Sequence, residues 1–475
     1  MKNARAFLVI LLICASLPVF IISCSRRNGN PLSENTDVPV SSSADGITTV
    51  DTTVVDTTVV DTTADTTVDT VANTEVATQE SADMSPQLSG HSIDITPKPT
   101  EEGSAAKTPT DSYILAAADF CTELFKHSAT KKGNTLLSPL SILSAIQVTA
   151  NGADGNTLKE FEDMLGGMPL SELNEYIAGY VGGLGDGVVS ANSIWIKNTD
   201  NSLQMNPHYL PNTLKYLNLT AYSAPFDETT SNDIGIWIEK NTKGRITDYK
   251  PSLEGSVLAI ANAVTFDAKW FMQYAPGNIS DGSFTDVNGN ESIVSMMRSV
   301  ESKYIETEDA TGFIKPYEGK YNFVALLPKG DIKEYISSIT GEKLLGAIES
   351  ATSKKKVIAK LPAFEYNCKY NDLKETLVSM GWRSAFDYTN ADFSKMATYA
   401  GGNLFVGGIG HATYIKLDNI GTEAGAATVV TMAPGASEPP EYVYVTLDRP
   451  FVYCIIDTNT SLPIFIGSVE TFAQN

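Results

Sequence analysis

Residues 258–270 read LAIANAVTFDAKW, a long and nearly continuous apolar run. A strand without polar alternation must be covered on both faces, so this run demands the buried centre of a sheet. YNFVALLPKG (321–330) is a second such run, whereas ANSIWIK (191–197) alternates apolar and polar residues. The chain closes on VYVTLDRPFVYCIID (443–457) and LPIFIGSV (462–469), joined by Thr458-Asn459-Thr460. Helical spacing dominates the other part of the pattern. Asp111-Ser112 starts a helix whose apolar face is Ile114, Leu115, Ala118, Cys121, Leu124 and Phe125. Ser138-Pro139 sets a second helix N-terminus, and Gly152 with Gly155 ends that helix. A third pattern through Leu373, Leu377 and Met380 stops at Gly381, and IWIEKNTKGRI (236–246) reads as a helix end entering a turn. Helices followed by mostly antiparallel strands make an α+β fold. No linker interrupts 111–475, so this span reads as one large domain.

What precedes residue 111 is of another kind. Lys2 and Arg5 lead into an apolar run from Phe7 to Ile22, then Ser23-Cys24. That order is expected of a secretion signal. Ile21-Ile22-Ser23-Cys24 resembles a lipobox, which would place a diacylglyceryl group on Cys24 and tether the exported chain to a membrane. Residues 25–110 then repeat DTTVV at 51–55 and 56–60, DTTA at 61–64 and DTTV at 65–68. Acidic, threonine-rich and without aromatics in its repeats, such a segment is expected to be a disordered tether.

One late stretch fits neither core nor tether. Gly421 to Ala436 reads GTEAGAATVVTMAPGA, poor in large side chains and too long for a tight turn. It would bury little where it stands, and apparent loops of this length inside a domain carry function or disorder. As an extended strand it has a definite parity. Thr422, Ala424, Ala426, Thr428, Val430 and Met432 share one face and carry no charge, while Glu423 falls on the other. A charge on the buried side of such a strand would cost several kcal/mol.

Charge and rare residues exclude several functions. A net charge of −22 argues against a nucleic-acid partner, which needs a basic face. The four histidines, His91, His127, His208 and His411, are scattered, with no metal-ligand spacing. Cys121, Cys368 and Cys454 stand apart, and Cys454 in its strand pattern is expected to be a buried, inert thiol. No GxSxG is present, and GGLGDG (182–187) lacks the strand–helix frame of a nucleotide loop. Neither enzyme, cofactor nor metal is expected.

Taken in order, LSPLSI (137–142), ANSIWI (191–196), NAVTFDAKW (262–270), ADFSKM (391–396), His411 with GTEAGAAT (421–428), RPFVYCIID and LPIFIGSV resemble the serpin family across essentially all of 111–475. The resemblance implies N-terminal helices, smaller antiparallel sheets, and a large five-stranded mixed sheet able to accept a sixth strand. It implies that Ser138 and Ser141 are shutter serines, and that Asn262 and Trp270 hold the central-strand and breach positions. His411, ten residues before Gly421, matches the family's breach histidine. The reactive loop would span about 420–440, with Gly421, Thr422, Glu423, Ala424, Gly425, Ala426, Ala427 and Thr428 as its hinge.

On that resemblance the chain is a monomeric suicide inhibitor whose cleaved loop inserts into the sheet and traps an acylated protease. Counting from the hinge puts the reactive bond at Gly435–Ala436, and counting back from Pro439-Pro440 puts it at Ala436–Ser437. Small residues there favour an elastase-like or subtilisin-like serine protease, with papain-like cysteine proteases as a further class. The alternative is a non-inhibitory member serving as a surface binding or carrier module. One departure stands at the loop's base, where Asn419 replaces the usual acid and removes a salt bridge.

Overall fold

A computed structural model describes residues 7–15, 87–98, 106–129, 133–422 and 441–472, all within one unit made of Met1–Val19 and Ser85–Asn475. Among these residues the largest sheet has seven strands. Their order is Phe364–Tyr370, Val406–Leu417, Phe7–Ala15, Ser256–Phe266, Val188–Lys197, Leu219–Ala224 and Ile93–Asp94. The run that demanded burial is the Ser256–Phe266 strand, and all eleven of its residues are buried. Helix Pro139–Ala150 packs beneath it, buried at every position. On the other face, helix Glu228–Asn241 brings Ile234, Trp237 and Ile238 against Trp195, Tyr222 and Ala261. Both faces are therefore covered, as an apolar run without alternation requires.

Among the described residues two two-stranded sheets and two further large ones complete the α+β fold. One runs Lys303–Glu306, Ala310–Pro316, Tyr321–Pro328, Phe451–Asp457, Pro463–Val469 and Thr135–Leu137; the other runs Glu441–Thr446, Lys355–Pro362, Glu291–Glu301 and Ile279–Thr285. The closing run 443–457, expected as one strand, is thus two strands in different sheets. Pro450 stands at the break, where it cannot donate a ladder hydrogen bond.

Strands Ser256–Phe266 and Val406–Leu417 do not touch as ladder neighbours. Between them lies Phe7–Ala15, parallel to both, running from Phe7 opposite Ser256 to Ala15 opposite Thr265 and Tyr414. Without it, and without the two-residue edge strand Ile93–Asp94, five strands remain, with a gap one strand wide.

The folded unit also includes residues before 111. Ile93–Asp94 pairs with Tyr222 and Ser223. Ser89 and Ser92 both donate to the buried Asp233 carboxylate, at 2.6–2.7 Å through their hydroxyls. A buried carboxylate needs such donors, and they come from a stretch that composition alone assigns to the tether.

Candidate functional site

The strand gap is flanked by two groups of buried polar and aromatic residues. The first lies halfway along it. Leu12 pairs with Asn262 on one side and with His411 on the other, so these two residues face each other across the gap. The first turn of helix Pro139–Ala150 connects them. Ser138 caps that helix by accepting from the Ser141 amide at 3.3 Å, and Pro139 follows at the first helical position. The Ser138 amide donates to His411 Nε2 at 3.3 Å. Ser141 Oγ donates to Asn262 Oδ1 at 2.5 Å, and Asn262 Nδ2 donates to Asn192 Oδ1 at 2.9 Å. Asn192 Nδ2 ends the relay on the Asn218 carbonyl at 3.1 Å. No side chain of this relay is more than 5% exposed. Such a network is worth most when every member is satisfied, and here it holds both borders of the gap to one helix end.

Four residues singled out from the sequence, Ser138, Ser141, Asn262 and His411, therefore meet. The fifth, Trp270, does not join them. Matching His411 to a breach position is corrected by this geometry. Ten residues of extended chain separate it from Gly421, about 30 Å at strand rise, and its partner is Ser138 rather than Trp270. His411 is buried, and its Nε2 accepts from the Ser138 main-chain amide. Among the described residues no cluster of three His, Cys, Asp or Glu side chains could hold a metal.

Trp270 belongs to the second group, at the end of the gap where the loop departs. It is fully buried and stacked on Tyr317, with ring centroids 4.2 Å apart. Its Nε1 donates to the Asp418 carbonyl at 2.8 Å, and its amide donates to the Ile420 carbonyl at 3.0 Å. The Tyr274 amide donates to the Asn419 carbonyl at 3.0 Å. The Asp418 carboxylate then accepts from the amides of Ile420 (2.9 Å) and Gly421 (3.4 Å). The base of the loop is thus held by main-chain contacts and by Asp418, one residue before the Asn419 that departs from the family pattern.

Beneath Trp270 lies a buried ion pair. Lys315 Nζ is 3.0 Å from Glu301 Oε1, donates to the Met272 carbonyl at 2.9 Å, and sits 4.4 Å from the Tyr274 ring centre. Burial pushes the Lys315 pKa down, and the Glu301 carboxylate beside it works against that shift.

Past Trp270 the hinge has already begun to pair. Gly421 lies opposite Lys269 and Thr422 opposite Ala268, antiparallel. Gly421 has φ +148°, and a Cβ there would come within 2.6 Å of the Ala268 oxygen and 2.7 Å of the Trp270 nitrogen. Only glycine lets the backbone enter this close. Glu423, Ala424, Gly425, Ala426, Ala427 and Thr428, the bond at Gly435, Ala436 and Ser437, and Cys24 lie outside the described residues.

Sequence reasoning missed Asn192, Asp418, Tyr274 and the Lys315–Glu301 pair. Asn192 left a trace as a polar residue inside ANSIWI, and Lys315 as a lone cation in GFIKPY. Tyr274 left none, because its amide meets a main-chain carbonyl of a distant segment, and Asp418 left only a local turn signal, its carboxylate accepting from the amides two and three residues on.

Residues 115–471 match the family model described as Serpin (serine protease inhibitor). The crystal structure of the thermophilic serpin Tengpin in the native state matches with a TM-score of 0.74 and 38% identity, over 80% of this chain and 100% of that one. An uncharacterized serpin-like protein of Thermococcus kodakarensis is 27% identical across 81% of this chain and 91% of its own length. Human antithrombin-III is 27% identical across 78% of this chain and 85% of its own length.

Proposed function

The chain belongs to the serpin family, and from that premise we propose that it is a suicide-type inhibitor of elastase-like or subtilisin-like serine proteases. The protease's serine oxygen attacks the carbonyl carbon before the reactive bond, at Gly435 or Ala436. The C–N bond breaks, the new amine leaves with a proton delivered by the protease, and an ester joins the two proteins. The freed loop then enters the gap as a strand before water reaches the ester, and the acylated protease is dragged along with it.

The pairing of the hinge carries this reading. Carried on in the register of Gly421 with Lys269 and Thr422 with Ala268, residues 425–434 would lie opposite Thr265 through Ser256. Those are the same partners that Ala15 through Phe7 hold now, so the gap accommodates a strand of that length. Thr428 would come between Asn262 and His411, directly over the serine relay. About a dozen new ladder bonds at roughly 1 kcal/mol each would favour insertion by on the order of 10 kcal/mol. At ~3.3 Å per residue the same strand would carry the protease more than 30 Å. Displacements of about 1 Å in catalytic geometry already cost about a hundredfold in rate.

Export and anchoring through a lipid on Cys24, with residues up to about 86 as a spacer, would present the inhibitor at the cell envelope as a monomer. Incubation with subtilisin or pancreatic elastase, followed by a denaturing gel, tests the inhibitor directly. A covalent band larger than either protein is expected, and cleavage to completion without one would refute inhibition. Thr422→Arg puts a charge on the inward parity and should convert inhibitor to substrate, with the covalent band reduced at least tenfold.

A further inference from the structure

The strand that leaves the reactive loop, Glu441–Thr446, forms the edge of a four-stranded sheet whose outer face has an unusual composition. Three cross-strand rows are fixed by the register. Tyr444 lies beside Ile358, which lies beside Val300. Thr446 lies beside Lys360, which lies beside Arg298, and Tyr442 lies beside Lys356. Tyr444 is 75% exposed, Val300 53% and Tyr442 51%. Arg298 and Lys360 are exposed, and Lys356 and Ile358 half-buried. In a chain of net charge −22, these rows hold three cations and no acid. Among the described residues none of the three is engaged in an ion pair. Of the acids on this sheet, Glu441 pairs with Lys355 at 3.4 Å, Asp281 lies opposite Ser295, three residues along the strand from Arg298, and Glu291 lies at the far end of that strand.

We propose that this basic and aromatic face is a second docking surface for the attacking protease, one that selects enzymes with an acidic rim beside the primed side of the cleft. The proposal rests on the inhibitor reading. Its occupant follows from continuity and charge. The reactive bond at 435–437 is four to six residues from Glu441, so at most about 20 Å of extended chain separates a seated protease from Tyr442. A protease body is wider than that span and must overhang the face. The exposed tyrosines offer broad contact area at low entropic cost. Arg298, Lys356 and Lys360 offer the opposite charge to an acidic rim, which accelerates encounter more than it strengthens the final complex.

The test compares a subtilisin with the same subtilisin carrying two added acids on its primed-side rim, using the full chain and its triple variant Arg298→Glu/Lys356→Glu/Lys360→Glu. The second-order rate of loop cleavage is measured at 25 and 500 mM NaCl, so the readout does not depend on whether the protease is then trapped. The acidic subtilisin should cleave the unaltered chain about tenfold faster than its parent at low salt. That advantage should vanish at high salt and in the triple variant. Tyr442→Ala/Tyr444→Ala should slow both proteases several-fold at either salt. All five positions are at least partly exposed, and matched thermal unfolding would exclude misfolding. Equal rates for the two subtilisins, or an effect of the variants on self-association alone, would overturn the proposal. Charge-dependent cleavage without a covalent band would instead refute the inhibitor reading and leave the docking surface standing.

Discussion

Asn262 shows how much one side chain can determine at the centre of this molecule. Its amide accepts from Ser141 Oγ and donates to Asn192, at a position with no solvent access. Asn262→Ala would leave two buried polar partners unsatisfied, each costing about 1–3 kcal/mol. A stability loss of about 3 kcal/mol is therefore expected in urea unfolding, and a loss below 1 kcal/mol would mean that Ser141 and Asn192 find other partners. The thiols make a contrasting case. Burial pushes Cys368 up to about 11 and raises Cys121 and Cys454 well above the ordinary thiol range. With so little thiolate at pH 8, none should react with iodoacetamide in the folded protein over an hour, and all three should react in guanidinium. Rapid labelling of Cys368 in native buffer would show its surroundings to be open.

At the scale of elements, two segments claim one place. Residues 7–15 now hold the ladder positions that residues 425–434 would take in the hinge's register. A chain that keeps residues 1–24 should therefore yield several-fold less covalent complex with subtilisin than one begun at residue 25. Leu12→Asp in the longer chain should restore the complex by making the strand costly to bury; equal yields from the long and short chains would show that the N-terminal segment offers no competition. This competition was not legible in the sequence, where 7–22 reads as a signal run. Its apolar residues satisfy a secretion signal and a buried strand equally, because both ask only for removal from water. The Ser138-Pro139 cap, the Gly381 stop and the central strand at 256–266 were legible, since each depends on neighbours close in sequence. What escaped depends on distant partners: the seat of His411 on Ser138, the serines that tie residues 89–92 to Asp233, and the division of the 443–457 run between two sheets.

For the whole molecule, the decisive quantity is the energy still unrealised while the loop lies outside the gap. Phe7–Ala15 apart, the facing edges of 256–266 and 406–417 have no ladder partner, and Gly421 and Thr422 pair just beyond them, with Lys269 and Ala268. Cutting the loop at 435–437 frees its hinge side to enter without any protease attached. The expected gain is on the order of 10 kcal/mol, from ladder bonds alone. With roughly 2.1 cal/mol/K of unfolding entropy per residue, each kcal/mol shifts the midpoint of a domain of this size by about 1.3 °C, so cleavage should raise Tm by about 13 °C. The measurement is calorimetry of the chain from residue 85 onward, before and after a single cut by catalytic amounts of protease. An ordinary surface loop behaves in the opposite way, because nicking it adds chain entropy to the unfolded state and leaves the folded contacts as they were. A midpoint that falls or stays unchanged on cleavage would therefore mean that the gap does not accept the loop. A rise would identify the uncut form as kinetically held short of its most stable structure.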